Sequence, residues 1–343
     1  MDTLDPLAAL ERIAYLLERT GAPTYRVRAF RGAAATLRDL GAEEVARRSA
    51  AGRLRDLPGI GQVTETVVAE ALAGGVPAYL AKLEEEIGES VAADDEAAGA
   101  YRAALKGDCH THSDWSDGGS PILEMALAAR ALGHEYVVLT DHSPRLTVAR
   151  GLSADRLRQQ LDVVAETNEV LAPFRVLTGI EVDILDDGSL DQEDELLDRL
   201  DVVVASVHSK LRMDAPEMTR RMVAAVTNPR TDILGHCTGR LLTARARPES
   251  TFDAAAVFAA CAESGTAVEI NCRPERLDPP LRLLAQAVEA GCWFSIDTDA
   301  HAPGQLEWLP NGCSRAARCQ VPVERVVNTR GASDLVDWAR ERR

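Results

Sequence analysis

The spacing of apolar positions divides the chain in two. Through residue 90 they recur at intervals of three and four, in "LAALERIAYLLERTG", "YRVRAFRGAAATLRDLG", "AEEVARRSAAGRL" and "QVTETVVAEALAGG", each segment ending at or near glycine. That period predicts amphipathic helices packed on a small core of their own. Residues 91–104, "VAADDEAAGAYRAA", hold no strong period and read as a linker. From residue 105 to 343 the pattern changes to short β-branched runs alternating with helical segments. The runs are "KGDCHTH", "YVVLTDH", "RVLTGIEVDI", "DVVVASVH", "DILGHCTG", "AVEINC" and "WFSIDTDAH", with helices such as "PILEMALAARALG" and "LRLLAQAVEAG" between them. Seven strands in that rhythm predict an α/β barrel or a doubly wound sheet, and in either the site is built at the carboxyl ends of the strands.

The chemically capable side chains fall at those ends. In "GDCHTHSDWSDG" a strand sends alternate residues to one face, so His110 and His112 point together while Cys109 and Thr111 turn away. Asp299 and His301 repeat the device in the last strand, and Asp141, His142, Glu181, His208 and His236 lie at the ends of the strands between. A single histidine at such a place is ordinarily a half-buried polar residue. Six of the chain's seven on one rim, with Asp117, Glu181 and Asp299, describe a metal centre instead. His134, in "ALGHEY", follows a helix end and reads as structural.

Composition narrows the class. Hydrophobic residues make up 46% and charged residues 27%, a globular balance. No run is apolar enough to cross a bilayer and the first residues have no basic secretory start, so a cytoplasmic protein is expected, with no membrane partner. The seven cysteines are scattered, without C-x-x-C, and read as reduced thiols. A formal charge of −16 argues against a protein coated in nucleic acid, though acids that hold metal count toward it.

The ordered series "HTHSDWSDG", "LTDHS", "GIEVDI", "ASVHS", "GHCTGR", "EINCRPERLD" and "DTDAH" resembles the polymerase and histidinol phosphatase (PHP) phosphoesterases over residues 105–305. The resemblance implies a distorted seven-stranded (β/α)7 barrel holding three divalent ions, zinc or manganese, with iron as a further option. It implies that His110, His112, Glu181 and Asp299 hold one metal. Glu181 would bridge to a second held by His208 and His236, while Asp117, His142 and His301 hold the third. All nine positions carry competent ligands. Glu181, Asp299 and His301 are the expected catalytic residues. A metal pair about 3.5–4 Å apart clamps a phosphoryl oxygen and lowers the pKa of a shared water, so a metal-bound hydroxide is the expected nucleophile. Phosphate also needs cations. The chain has 35 arginines and three lysines, and Arg145, Lys210, Arg240, Arg273 and Arg276 each follow a strand end as expected substrate contacts.

In the first ninety residues, "TYRVRAFRGAAATLRDL" followed by "LPGIG" resembles the helix-hairpin-helix domain of bacterial family X DNA polymerases. Residues 19–55 hold nine arginines against three acids. Arg26, Arg28, Arg31, Gly59 and Gly61 are therefore the expected DNA contacts, the glycines letting backbone N–H groups approach phosphate. Only the linker separates this domain from the barrel, which leaves no room for a polymerase palm. Gln62 stands where such motifs often carry a cation and Lys82 is the domain's one lysine, so no Schiff-base lyase is expected. The reading is a metal-dependent phosphodiesterase on DNA, a 3′-5′ exonuclease or an end-processing repair enzyme. A small-molecule phosphatase of the histidinol-phosphate type is the alternative, and a non-catalytic DNA-binding module is the third. Sequence leaves the oligomeric state open.

Overall fold

The computed structural model describes residues 5–90, 96–243 and 246–343, and the chain divides into two compact units, residues 1–94 and 95–343. The first unit is all helical: α1 (Pro6–Arg19), α2 (Thr24–Leu40), α3 (Ala42–Ala50), α4 (Gln62–Leu72) and α5 (Ala78–Ser90). Asp5 caps α1 by accepting from the N–H groups of Leu7 and Ala8 at 3.2 and 3.3 Å. The core is built as the period predicts, from Leu10, Ile13 and Leu17 of α1, Val27, Phe30 and Leu37 of α2, and Val67, Val68 and Ala71 of α4. Gly59 turns the chain into α4 at φ +76°, and a Cβ there would meet the α2 backbone at Gly32 at 3.4 Å. The angle selects glycine, whereas the contact is an ordinary van der Waals one.

The second unit begins with α6 (Glu96–Ala104). This corrects part of the expected linker. Residues 96–104 are helical and belong to the barrel, where Tyr101 donates to the Val321 carbonyl and Arg102 to the Leu132 carbonyl at 3.1 Å. The run is too short and alanine-rich to show a period, and packing decides its structure. Residues 91–95 lie outside the described residues.

Seven parallel strands follow: β1 (Gly107–Thr111), β2 (Tyr136–Leu139), β3 (Arg175–Asp183), β4 (Val202–Ser206), β5 (Ile233–Leu234), β6 (Ala267–Asn271) and β7 (Trp293–Asp297). They are hydrogen-bonded in sequence order, every pair parallel. The connecting helices are α7 (Ile122–Ala131), α8 (Ala154–Leu171), α9 (Asp194–Leu197), α10 (Ala215–Val226), α11 (Ala254–Ser264) and α12 (Leu281–Glu289). Beyond β7 come α13 (Leu309–Arg318) and α14 (Ala332–Arg340). The result is the α/β barrel of the sequence reading, nearly closed. Between β1 and β7 side chains stand in for much of a ladder. Asp297 accepts from the Cys109 N–H at 2.7 Å, Asp108 from the Thr298 hydroxyl at 2.5 Å, and Asn328 donates to the carbonyls of Gly107 and Ile296 at 3.0 and 2.8 Å. Because all strands run one way, their carboxyl ends share one rim.

Candidate metal centre

Glu181, near the end of β3, lies at the middle of that rim. Its Oε2 is 3.4 Å from His110 Nε2, 3.7 Å from His112 Nε2 and 2.9 Å from His142 Nδ1. Its Oε1 is 3.2 Å from His208 Nε2 and 2.9 Å from His236 Nε2. Both oxygens are buried and neither accepts a hydrogen bond. A bare buried carboxylate is costly unless a cation meets it, by several kcal/mol. Two donors bound to one tetrahedral ion through bonds of about 2.1 Å sit about 3.4 Å apart. The separations around Glu181 are of that size, and imidazole with carboxylate is a donor set suited to divalent metals.

Four sets of donors lie close enough to share an ion: His110, His112 and Asp299; His110, Glu181 and His236; His142, Glu181 and His208; and His112, Asp117, His142 and His301. The structure thus brings all nine expected ligands together. Asp117 touches both His142 and His301 at 3.4 and 3.3 Å, and its side chain is 39% exposed where Glu181 is fully buried. The centre therefore opens to solvent on the Asp117 side.

Two further carboxylates orient the imidazoles, and the sequence reading did not single them out. Glu269 meets His110 Nδ1 at 2.6 Å, leaving Nε2 to face Glu181 and Asp299, and its other oxygen accepts from the His236 N–H at 2.5 Å. Asp183 meets His208 Nδ1 at 2.5 Å. Such pairs fix ring orientation and raise ligand basicity. The period-two rule could have found both: Asp183 follows Glu181 by two and Glu269 precedes Asn271 by two, so each faces the same side as its neighbour. Asp141 serves the rim differently, accepting from Ser113, Ser116 and Gln160 and anchoring the loop after β1.

In the metal-free protein the electrostatics are strongly polarised. Burial opposes charge on His110, but Glu269, Glu181 and Asp299 outweigh it and hold the ring well above the usual imidazole range. Burial likewise opposes charge on His208, yet Glu181 and Asp183 raise it to about 9. His112 goes the other way, pushed down by burial and by His301 and His142. Burial disfavours charge on Glu181 and Asp299 as well. His208 and His110 overcome it at Glu181, and Arg273 and His110 at Asp299, so both stay ionised.

The expected substrate cations divide. Arg273 lies over the site, its Nη1 3.4 Å from Asp299 Oδ1 and 3.1 Å from His301 Nδ1. Arg276 Nε is 3.4 Å from Asp299 Oδ2, and its buried Nε and Nη1 make no hydrogen bond. Arg240 is spent on the carbonyls of Arg276 and Leu277, Lys210 pairs with Asp186, and Arg145 is exposed beside the Asp191 loop. His134 lies apart from the centre, buried with both ring nitrogens unpaired, and burial followed by Arg102 lowers its pKa to about 4. It is neutral in the fold. An unfolded chain takes up a proton there as pH falls below about 6.5, so stability drains between about 6.5 and 4, by about 2 kcal/mol at pH 5. His134→Leu is expected to shrink the fall in Tm between pH 7 and pH 5, measured calorimetrically.

In the helical unit the expected DNA contacts are placed unevenly. Arg28 is exposed, but Arg26 donates to the Tyr79 hydroxyl and Arg31 to the buried Glu18, each at 2.5 Å. Arg38 and Arg55 pair with Glu11 and Glu65. The excess of arginine over residues 19–55 is thus partly neutralised by acids from outside that window. Gly61 precedes α4, and its N–H donates to Thr64 Oγ1 at 2.9 Å rather than standing free.

A nearly closed parallel barrel whose rim gathers nine metal-competent side chains and two arginines is the architecture of a phosphoester hydrolase. The chain belongs to the PHP family: residues 108–273 match the PHP domain, and residues 1–77 match the helix-hairpin-helix domain. It is 40% identical over 231 residues to the DNA polymerase/3′-5′ exonuclease PolX of Bacillus subtilis (strain 168), an alignment covering 67% of this chain and 40% of that protein. It is 30% identical over 233 residues to a protein of Thermoanaerobacter sp. (strain X514) named a probable phosphatase, covering 65% of this chain and 89% of that one. A crystal structure of histidinol phosphate phosphatase from Lactococcus lactis subsp. lactis Il1403 aligns with a TM-score of 0.45 and 19% identity, over 62% of this chain and 92% of that one. The chain spans two fifths of PolX, the first of these relatives.

Proposed function

We propose that this chain is a metal-dependent phosphodiesterase acting on DNA, trimming 3′ ends or processing damaged ones. The observation that carries the metal dependence is the Glu181 carboxylate, bare and buried among five imidazoles. In this reading His110, His112, Glu181 and Asp299 would hold one ion, Glu181 with His208 and His236 a second, and Asp117, His142 and His301 a third. Divalent metals, zinc or manganese, supply a water of lowered pKa and a counter-charge for the phosphoryl oxygens. The chain's own residues do the rest. Glu269 and Asp183 hold His110 and His208 in the tautomer that turns Nε2 inward, and Arg276 offers free N–H groups to a phosphate oxygen. Arg276→Ala is expected to raise KM about 10- to 100-fold with the metal content unchanged, read by steady-state kinetics beside elemental analysis.

The DNA assignment rests on the pairing of a PHP barrel with a helix-hairpin-helix domain and on the likeness to an exonuclease. A small-molecule phosphatase is the second reading, favoured by relatives named probable phosphatases that this chain covers almost end to end. Incubating the Mn²⁺- or Zn²⁺-loaded chain with end-labelled DNA, and separately with histidinol phosphate, decides between them. Shortening of the DNA with no phosphate release from histidinol phosphate is the expected result, and the reverse contradicts the proposal. A chain beginning at residue 95 is expected to keep its turnover of p-nitrophenyl phosphate and lose most of its activity on DNA. Full DNA activity in that shortened chain rules out the gripping role of the hairpins.

A further inference from the structure

In the connection after β5, Leu241 and Arg247 exchange backbone hydrogen bonds at 3.0 Å, and beside this bridge lies an open cavity of about 590 Å³. Its walls are Arg240, Leu242, Arg247 and Glu249 to Phe252 of this connection, with Arg282 and Leu283 of α12. The volume lies within the range of about 300–1,000 Å³ that small-ligand sites occupy. Three guanidinium groups face one carboxylate. Glu249 reaches Arg240 at 3.6 Å and pairs with Arg282, whereas Arg247 has no carboxylate partner among the described residues. Arg247 is half-buried, spends only its Nε on the Gly239 carbonyl at 2.6 Å, and is thereby held in the cavity wall with its Nη groups unspent.

The cavity is coupled to the metal centre by backbone. Arg240 donates to the Arg276 carbonyl at 2.9 Å and the Leu242 N–H to the Glu275 carbonyl at 2.7 Å, so its wall is bonded to the loop that sends Arg273 and Arg276 to Asp299. The far side of the rim, at the end of β3 and three strands away around the barrel from β6, is acidic: residues 183–195 contain seven acids and no base, and Asp186, Glu193 and Asp194 are paired with Lys210, Arg158 and Arg230. The acids left over make that side less favourable to a polyanion held at the centre than the arginine-lined cavity. Leu242, Phe252 and Leu283 add apolar surface of the kind a sugar or base covers, which a lone inorganic anion does not need.

We infer that this cavity is a second phosphate subsite, receiving the neighbouring nucleotide of a strand whose terminal phosphodiester lies at the metal centre. The inference deepens the phosphodiesterase reading and rests on it. The test is calorimetric titration of the full metal-loaded chain with thymidine 5′-monophosphate and with a 5′-phosphorylated, phosphorothioate-linked dithymidine that resists cleavage. Wild-type protein should bind the dinucleotide about 10-fold more tightly or better, the yield of one charge-assisted contact. Arg247→Gln, and independently Thr251→Glu at the exposed cavity edge, should erase that advantage while leaving thymidine monophosphate binding within about two-fold. Equal affinities in wild type, or an advantage that survives both substitutions, overturns the subsite. Parallel weakening of the mononucleotide in both variants overturns it too, because the cavity wall then only supports the centre. Whether labelled DNA is cut at all is read separately, so a failed nuclease reading is distinguishable from a failed subsite.

Discussion

Glu181→Gln is expected to lower phosphoester turnover about 1,000-fold or more, equivalent to about 4 kcal/mol of transition-state stabilisation. The amide fits the same space, so the fold survives. What is lost is the negative charge shared by five imidazoles, and a neutral amide presents one oxygen where two are required. The same variant should show a smaller rise in Tm on adding Mn²⁺ or Zn²⁺, since a ligand stabilises the folded state only in proportion to its affinity. Glu269→Gln is the graded companion. It leaves the inward-facing imidazole nitrogens and carboxylates in place and weakens the bonds that Glu269 accepts from His110 Nδ1 and the His236 N–H, so a loss of about 10- to 100-fold is expected. Equal losses in the two variants would mean that Glu181 also does no more than orient its neighbours.

The second large effect is at Asp299, just past the end of β7. Removing this carboxylate should abolish turnover, because it faces His110, His112, Arg273 and Arg276 at once. The backbone decides which substitution reads cleanly. Asp299 sits at φ +54°, a left-handed conformation that aspartate and asparagine tolerate and alanine does not. Asp299→Asn is therefore expected to be inactive at near wild-type stability, while Asp299→Ala is inactive and about 1 kcal/mol less stable. Kinetics and urea unfolding on the two variants separate the catalytic loss from the conformational one. A left-handed backbone at this rim carboxylate is what a chain fixed to aim a side chain rather than to pack one would show.

The barrel was legible because burial forces β-branched residues into short runs and leaves polar ones at the strand ends, and all seven runs became strands. The rim histidines were legible for the same reason: His110 and His112 share a face by the pleat, and the structure places their ring centres 5.1 Å apart. Less visible were features that depend on partners distant in sequence. The helix over residues 96–104 is held by Val321 and Leu132, contacts that no local pattern announces. Arg240 and Arg31 read as cations awaiting phosphate, yet one binds carbonyls 36 and 37 residues away and the other a buried glutamate. Charge counted along a window records neither. Glu269 and Asp183 could have been found from the pleat alone, but a glutamate in β6 and an aspartate beside Glu181 become informative only once His110 and His208 are known to lie against them.

Anomalous diffraction from Mn²⁺-loaded crystals tests the central claim most directly. Peaks are expected on both sides of the Glu181 carboxylate, one against His110, His112 and Asp299 and one against His208 and His236, with a third beside Asp117, His142 and His301. Manganese bound elsewhere, with no peak within bonding distance of either Glu181 oxygen, would contradict the account.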